Sequence, residues 1–369
     1  MKNYNVAVLA HYPVGNEVHD GMFMRIQAID SLFKNYNRCY IESIIDYNPE
    51  LFYSLLRLIR NNRVFQKPHS EDKLKTYKFI RKSEAREIFK KVDVIYIQTW
   101  MYLRTLSEDL LKEFGHKMYL DFHGCFVEEI YYNSGNDNRY KKAIRFEKLA
   151  FQYIKNFVCV SQSMIEFYKS KFPDCDANFI KLPIFTVSER ASIEKNETDS
   201  INIIYSGRNN KWQNIPEMLA SIDKIKNNSK YKIKILTPDV KYFKDQLNQL
   251  NINNIPVEAK NAQELIVEYK NAHFGYILRE DNVINAVSCP TKLIEYMQYG
   301  IIPVVLQPNI GDFNKLGYKY LLNSDLINGN FPSQDDIIKM REHNYNIIKS
   351  YSNEITKIKN NLSNFILND

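Results

Sequence analysis

Thr291, Lys292 and Glu295 stand close enough in the chain to act on one ligand. A lysine in the first turn of a helix opposes the helix dipole, so Lys292 does little for stability and is better suited to holding phosphate. Thr291 and Glu295 are four apart, which places them on one helical face. A carboxylate one turn deeper than a phosphate can accept two hydrogen bonds from a vicinal diol, and phosphate plus diol outlines a nucleotide. A second set follows Gly207 in Ser206-Gly207-Arg208-Asn209-Asn210-Lys211. There Gly207 permits a tight turn, and Arg208 and Lys211 set two cations just past a strand. A third is His123, in Asp121-Phe122-His123-Gly124 at the carboxyl end of a strand, the end at which open α/β sheets bind their ligands.

These side chains need elements to aim them. Residues 272–278 and 302–306 are short apolar runs of the buried-strand type, the second introduced by Gly300 and containing Pro303. Between them lies a helix signal. Pro290 suits the first turn, Ser288 and Cys289 are candidates for the cap, and Leu293, Ile294 and Met297 form the apolar face. Gly300 ends the helix at a position suited to a left-handed residue. A helix that begins where a parallel strand ends points its free N–H groups into the crevice above the sheet, an anion site before any side chain is counted.

The same alternation runs through the whole chain. Strands are expected at 4–10, 39–45, 92–98, 118–122, 157–160 and 178–184, with helices at 22–34, 51–63, 74–89, around 103–114 and at 140–153. Residues 186–200 are polar and charged, a linker. The pattern then restarts: strands at 201–205, 232–236 and 255–259, helices from Asn214 to about 225, at 242–250 and at 262–270, and a long helical signal over 335–365. The reading is α/β, with two doubly wound Rossmann-like domains, 1–185 and 201–345, and a tail, 346–369. The loop 11–21 carries Gly15 and Gly21, which allow close backbone approach. Its glycines are not spaced as GxGxxG, which argues against a nicotinamide dehydrogenase.

The stretch 279–300, with Asn285, Pro290-Thr291-Lys292 and Glu295, resembles the donor-binding segment of the retaining GT-B glycosyltransferases that carry a Glu-x7-Glu motif. Their ribose-binding Glu maps onto Glu295. The other motif Glu should stand at Val287, so the match is to a variant branch. The resemblance is sharp over 201–306, looser over 1–185 and architectural only in the tail. It implies two domains facing each other across a cleft, with 346–369 crossing back to the first. It implies a donor diphosphate met by Arg208 and Lys211, a donor sugar touched by His123, and a donor segment made of Gly15, Gly21, Gly207, Asn285, Pro290, Thr291, Lys292 and Glu295. Retention at the anomeric carbon and a UDP- or GDP-linked sugar as co-substrate follow from it, with no cofactor. No metal is expected, and no Asp-x-Asp is expected to hold one. The acceptor it implies is a glycan or a polyprenyl-linked lipid, in capsule or lipopolysaccharide synthesis. Two rivals share the architecture: a sugar-nucleotide epimerase, and a non-catalytic binding protein, which Val287 favours.

Composition sets further bounds. The 369 residues are 44% hydrophobic and 25% charged, an ordinary globular balance with enough chain for two domains. No apolar run approaches the length that spans a bilayer, and Met1-Lys2-Asn3-Tyr4 leads into a strand rather than a leader. The five cysteines are odd in number and lack CxxC spacing, which fits buried thiols in a cytoplasmic protein rather than a zinc site. The charge is uneven. Between 50 and 92, twelve Lys and Arg stand against five acids, a difference equal to the whole chain's +7. Within it, 51–63 is amphipathic, with Arg57, Arg60 and Arg63 opposite its leucines. This favours peripheral contact with an anionic membrane, through 51–91 on its inner face, or with an anionic acceptor. No base-reading module is present, so nucleic acid is not an expected partner.

Overall fold

The computed structural model describes residues 5–14, 21–45, 70–135, 137–183 and 200–367. The chain divides into two compact units, one made of the described residues up to 183 together with those from 355, the other running from 200 to 354. The helix Gln334–Leu367 begins in the second unit and ends among residues of the first.

The first unit is built on an eight-stranded sheet: β1 (Val6–Leu9), β2 (Arg38–Ile45), β3 (Ser70–Glu71), β4 (Leu74–Arg81), β5 (Val94–Gln98), β6 (Met118–Phe122), β7 (Asn156–Cys159) and β8 (Asn178–Lys181). Their order across the sheet is β3-β4-β2-β1-β5-β6-β7-β8. All pairings are parallel except β3 with β4. Parallel strands are covered on both faces and so read as continuous apolar runs: β1, β5, β6 and β7 are buried at every position.

The second unit has a six-stranded parallel sheet: β9 (Ile201–Ser206), β10 (Tyr231–Leu236), β11 (Val257–Glu258), β12 (Phe274–Ile277), β13 (Ile302–Val305) and β14 (Leu321–Leu322), in the order β11-β10-β9-β12-β13-β14. Its core joins Ile203, Tyr205, Ile235, Phe274, Tyr276 and Val304 of the sheet to Met218, Ile222, Phe243 and Leu247 of the covering helices. In both sheets the strand order reverses once, between β1 and β5 and between β9 and β12. Helices leave the sheet in opposite directions there, and a crevice opens at the carboxyl ends.

Several expectations need correction. Residues 74–89 are not one helix: Leu74–Arg81 is β4, which pairs with β2 along seven registered positions, and the helix is Lys82–Lys91. Its start is marked by Glu84, whose carboxylate accepts from the Arg81 backbone N–H in a capping box. The helix expected near 103–114 is two, Thr99–Leu103 and Glu108–Phe114. Pro290 itself caps the helix Thr291–Gln298, in place of Ser288 or Cys289, and a short helix, Val283–Ala286, precedes it. Asn214 precedes the helix Ile215–Ile225 with φ +52°, where it was expected to begin it. Gly300 is left-handed, with φ +65°. Gly15, the helix expected at 51–63 and 186–199 of the linker lie outside the described residues.

Candidate functional site

In the second unit the side chains gather at the β9/β12 reversal. The helix Thr291–Gln298 follows β12 and is seated on the sheet by Tyr296. Tyr296 is fully buried, and its hydroxyl accepts from the Ser206 backbone N–H at 2.9 Å. One turn earlier, Lys292 Nζ donates to Glu295 Oε2 at 2.8 Å, and the Tyr269 hydroxyl donates to the same oxygen at 2.8 Å. Tyr269 Oη also lies 2.9 Å from Ser206 Oγ and 3.3 Å from Lys292 Nζ. Lys292 and Glu295, expected to serve phosphate and ribose, are therefore already an ion pair. Thr291 and Lys292 open the helix, so their backbone N–H groups have no intrahelical acceptor.

Gly207, Arg208 and Lys211 follow β9. The Tyr205 hydroxyl donates to the Arg208 carbonyl at 2.6 Å, and Asp239 Oδ2 accepts from the Asn209 N–H at 3.0 Å, which fixes the loop. A Cβ on Gly207 would lie 2.9 Å from Tyr205 Oη. The glycine thus answers a close approach, and its φ is not in the left-handed region. Arg208 and Lys211 are both exposed.

Arg279, just beyond β12, was within the stretch singled out but had no role. It is 7% exposed, and its Nη1 donates to Asn285 Oδ1 at 3.2 Å and to Ser288 Oγ at 3.3 Å. Burial lowers its pKa to about 10, so it stays charged at neutral pH. Asn285 is buried and its Nδ2 donates to the Glu280 carbonyl at 3.0 Å, so both ends of its amide are engaged. Val287, at the position of the family's first Glu, is 4% exposed and packs into the interior.

In the first unit His123 ends β6 beside a fully buried carboxylate. Asp121 receives both Arg25 Nε at 2.8 Å and Nη2 at 2.6 Å, and the Tyr96 hydroxyl at 2.9 Å. Burial works to raise the Asp121 pKa, and the charge of Arg25 with the contact to His123 outweighs it, holding the carboxyl below the usual carboxylate range. His123 Nε2 lies 3.2 Å from Asp121 Oδ2 and 2.8 Å from the Gln98 amide nitrogen. The Gln98 Oε1 is buried without a partner. Asp121 can only accept, so Nε2 carries the proton and donates to it, and the Gln98 amide is placed with its oxygen toward Nε2. Burial lowers the His123 pKa against the pull of Asp121, so the ring is neutral at pH 7 and Nδ1 remains an acceptor for a ligand hydroxyl. Directly after Gln98, Thr99 has φ +65°. A β-branched residue there costs on the order of 1–3 kcal/mol, and it stands at the β1/β5 reversal. Gly21 opens the helix Gly21–Phe33 that follows the first loop.

The chain does contain one Asp-x-Asp, Asp174-Cys175-Asp176, contrary to the expectation. It lies after the helix Gln162–Lys171, and Asp176 pairs with Lys155 at 2.7 Å. Among the described residues no group of three or more His, Cys, Asp or Glu is placed to hold a metal ion. The five cysteines are unpaired with one another.

Spacing pointed to Lys292, Glu295 and Arg208. Tyr269 and Gln98 carried no such signal, because each joins the site only through a partner distant in the chain.

No family model and no curated protein matches this chain. Solved structures do. It is similar to OtsA in its apo form, with 10% identity, TM-score 0.65 and coverage of 98% of this chain and 99% of that one. WaaG, a glycosyltransferase involved in lipopolysaccharide biosynthesis, matches with 10% identity, TM-score 0.58 and coverage of 98% and 99%. HepE of Anabaena in complex with UDP-glucose matches with 11% identity, TM-score 0.58 and coverage of 98% and 98%. The fold is therefore that of the GT-B proteins.

Proposed function

We propose that the chain is a retaining, metal-independent glycosyltransferase that moves a sugar from a nucleoside diphosphate to a glycan or polyprenyl-linked acceptor in surface polysaccharide synthesis. The observation that carries this reading is the position of Lys292 and Glu295 in the helix that leaves the β9/β12 reversal, on a GT-B fold. A similar structure, trehalose-6-phosphate from E. coli, is bound with UDP-2-fluoro glucose, HepE is in complex with UDP-glucose, and WaaG is involved in lipopolysaccharide biosynthesis; these support the donor class and the pathway.

In this mechanism the leaving diphosphate gains negative charge as the sugar carbon becomes positive. Arg208, Lys211 and the N–H groups of Thr291 and Lys292 stabilise that charge without reorganising, worth several kcal/mol per donor in comparable sites (about 3–4). Glu295 holds the ribose hydroxyls, and in the first unit His123 offers Nδ1 as an acceptor for a sugar hydroxyl. The second unit is then the donor domain and the first the acceptor domain. Attack and departure share one face, and the departing phosphate takes the acceptor's proton.

Glu295→Ala should weaken UDP or GDP binding by more than about tenfold, the value of a charge-assisted hydrogen bond, with the melting temperature little changed. Calorimetry with a panel of UDP- and GDP-sugars measures it. Unchanged affinity would refute the ribose assignment, and loss of donor without any acceptor would favour the epimerase.

A further inference from the structure

We infer that Arg279 is the principal anion ligand at the β9/β12 reversal, meeting the donor diphosphate with its guanidinium. The inference rests on the reading of this unit as a donor site. Four cations are candidates there, and the structure separates them. Lys292 is engaged by Glu295 at 2.8 Å. Arg208 and Lys211 are exposed, so solvent screens their charges. Arg279 is buried, bonded only to two neutral oxygens, and its Nε has no partner. Among the described residues no carboxylate pairs with it. Its electrostatic neighbours are Tyr205 and Cys289.

A buried charge without a counter-ion destabilises a fold by several kcal/mol unless something answers it. Of the four, Arg279 therefore gains most from an arriving anion. Its position fits. It follows β12, its neighbour Tyr205 bonds the Arg208 carbonyl, and its partner Ser288 stands two residues before the cap of the helix Thr291–Gln298. Asn285 is then a positioning residue, holding the guanidinium rather than the ligand. Val287 acquires a meaning as well: the family's carboxylate is replaced by a buried apolar side chain, so no acid from that position competes for Arg279.

The test uses the full chain, titrated with UDP, GDP and inorganic pyrophosphate, with melting curves of each ligand-free variant. Arg279→Met should weaken both nucleotides and pyrophosphate by more than about tenfold, and Arg279→Lys should recover part of it. Ligand-free Arg279→Met should melt no lower than wild type, because an apolar side chain replaces an unanswered charge. Glu295→Ala should weaken the nucleotides without weakening pyrophosphate, since it releases Lys292 from its ion pair. Arg341→Met is the comparator, since Arg341 is also buried with an unpartnered Nε but lies on the helix Gln334–Leu367. Wild-type affinity in Arg279→Met overturns the inference. So does a fall in its ligand-free melting temperature of several degrees, which would make Arg279 a strut of its loop. If wild type binds pyrophosphate but no nucleotide, the donor reading falls and the Arg279 assignment stands. If wild type binds none of the three, both fall.

Discussion

Lys171 is one ammonium shared between two carboxylates, 2.7 Å from Glu128 Oε1 and 2.7 Å from Glu147 Oε2. Glu147 is 1% exposed and its other oxygen has no partner. Burial raises its pKa to about 7 despite Lys171, and the charge of Glu128 adds to the rise. The folded state thus holds this proton more tightly than the unfolded one. The stabilisation is full below the unfolded value near 4.5 and is lost as pH rises through 7. At about 1.4 kcal/mol per unit, the loss from pH 5 to pH 8 is on the order of 3 kcal/mol. His123 works the other way, since its lowered pKa removes stability as pH falls below 6.5. The clean quantity is therefore the difference between wild type and Glu147→Gln in urea unfolding at pH 5, 6, 7 and 8. That difference should shift by roughly 3 kcal/mol in favour of the glutamine across the range; a flat difference would mean that Glu147 is ionised throughout. None of this was legible in the sequence, where Glu147 is one charge in an amphipathic helix. A spacing rule finds residues that serve one ligand from one helix, as with Lys292 and Glu295. It does not find a carboxylate whose pKa depends on a lysine from another helix.

At the scale of elements, the donor helix depends on a missing side chain in the strand beneath it. Gly275 lies in β12, and a Cβ there would come within 2.3 Å of the Tyr296 ring. The ring has little room to yield, because Tyr296 is fully buried and its hydroxyl is held by the Ser206 N–H at 2.9 Å. Gly275→Ala should push the helix away from the sheet, cost about 1–3 kcal/mol as overpacking does, and weaken nucleotide binding with it. Tyr296→Phe, which keeps the ring, should cost only about 1 kcal/mol. Thermal melts and nucleotide titrations of both variants read this out, and a Gly275→Ala protein that melts and binds like wild type would detach the helix from its seat. Elements of this kind were mostly legible. The runs at β1, β12 and β13 are continuous and apolar, and those at β5, β6 and β9 nearly so, as suits strands covered on both faces. β4 was misread because Lys75, Lys78 and Arg81 interrupt it and, with Tyr77, Phe79 and Ile80, mimic a helical face. Its pairing with β2 decides the matter, and that contact is not visible in a local pattern.

The molecule as a whole carries +7, all of it attributable to 50–92. The structure narrows where that excess is available. Lys82 pairs with Asp109, Arg86 with Asp109 and Glu113, and Lys90 with Glu87. Helix Lys82–Lys91 is thus largely neutralised, while Lys73, Lys75 and Arg81 are exposed, and Arg57, Arg60 and Arg63 lie outside the described residues. Among the described residues no helix is long and apolar enough to cross a membrane; on the proposed reading, contact with a lipid-linked acceptor is peripheral and electrostatic. Each basic residue near an anionic bilayer contributes about 1 kcal/mol. Replacing Arg57, Arg60 and Arg63 together by Gln should therefore cut sedimentation with phosphatidylserine vesicles by on the order of a hundredfold in partition coefficient, most steeply at low salt. Replacing Lys82, Arg86 and Lys90 should change it little. Transfer to a water-soluble acceptor should be unaffected by the arginine replacements, since they act on where the enzyme sits and not on the donor site. Equal vesicle binding by the arginine variant and wild type would end the membrane reading and leave the basic stretch to an anionic glycan.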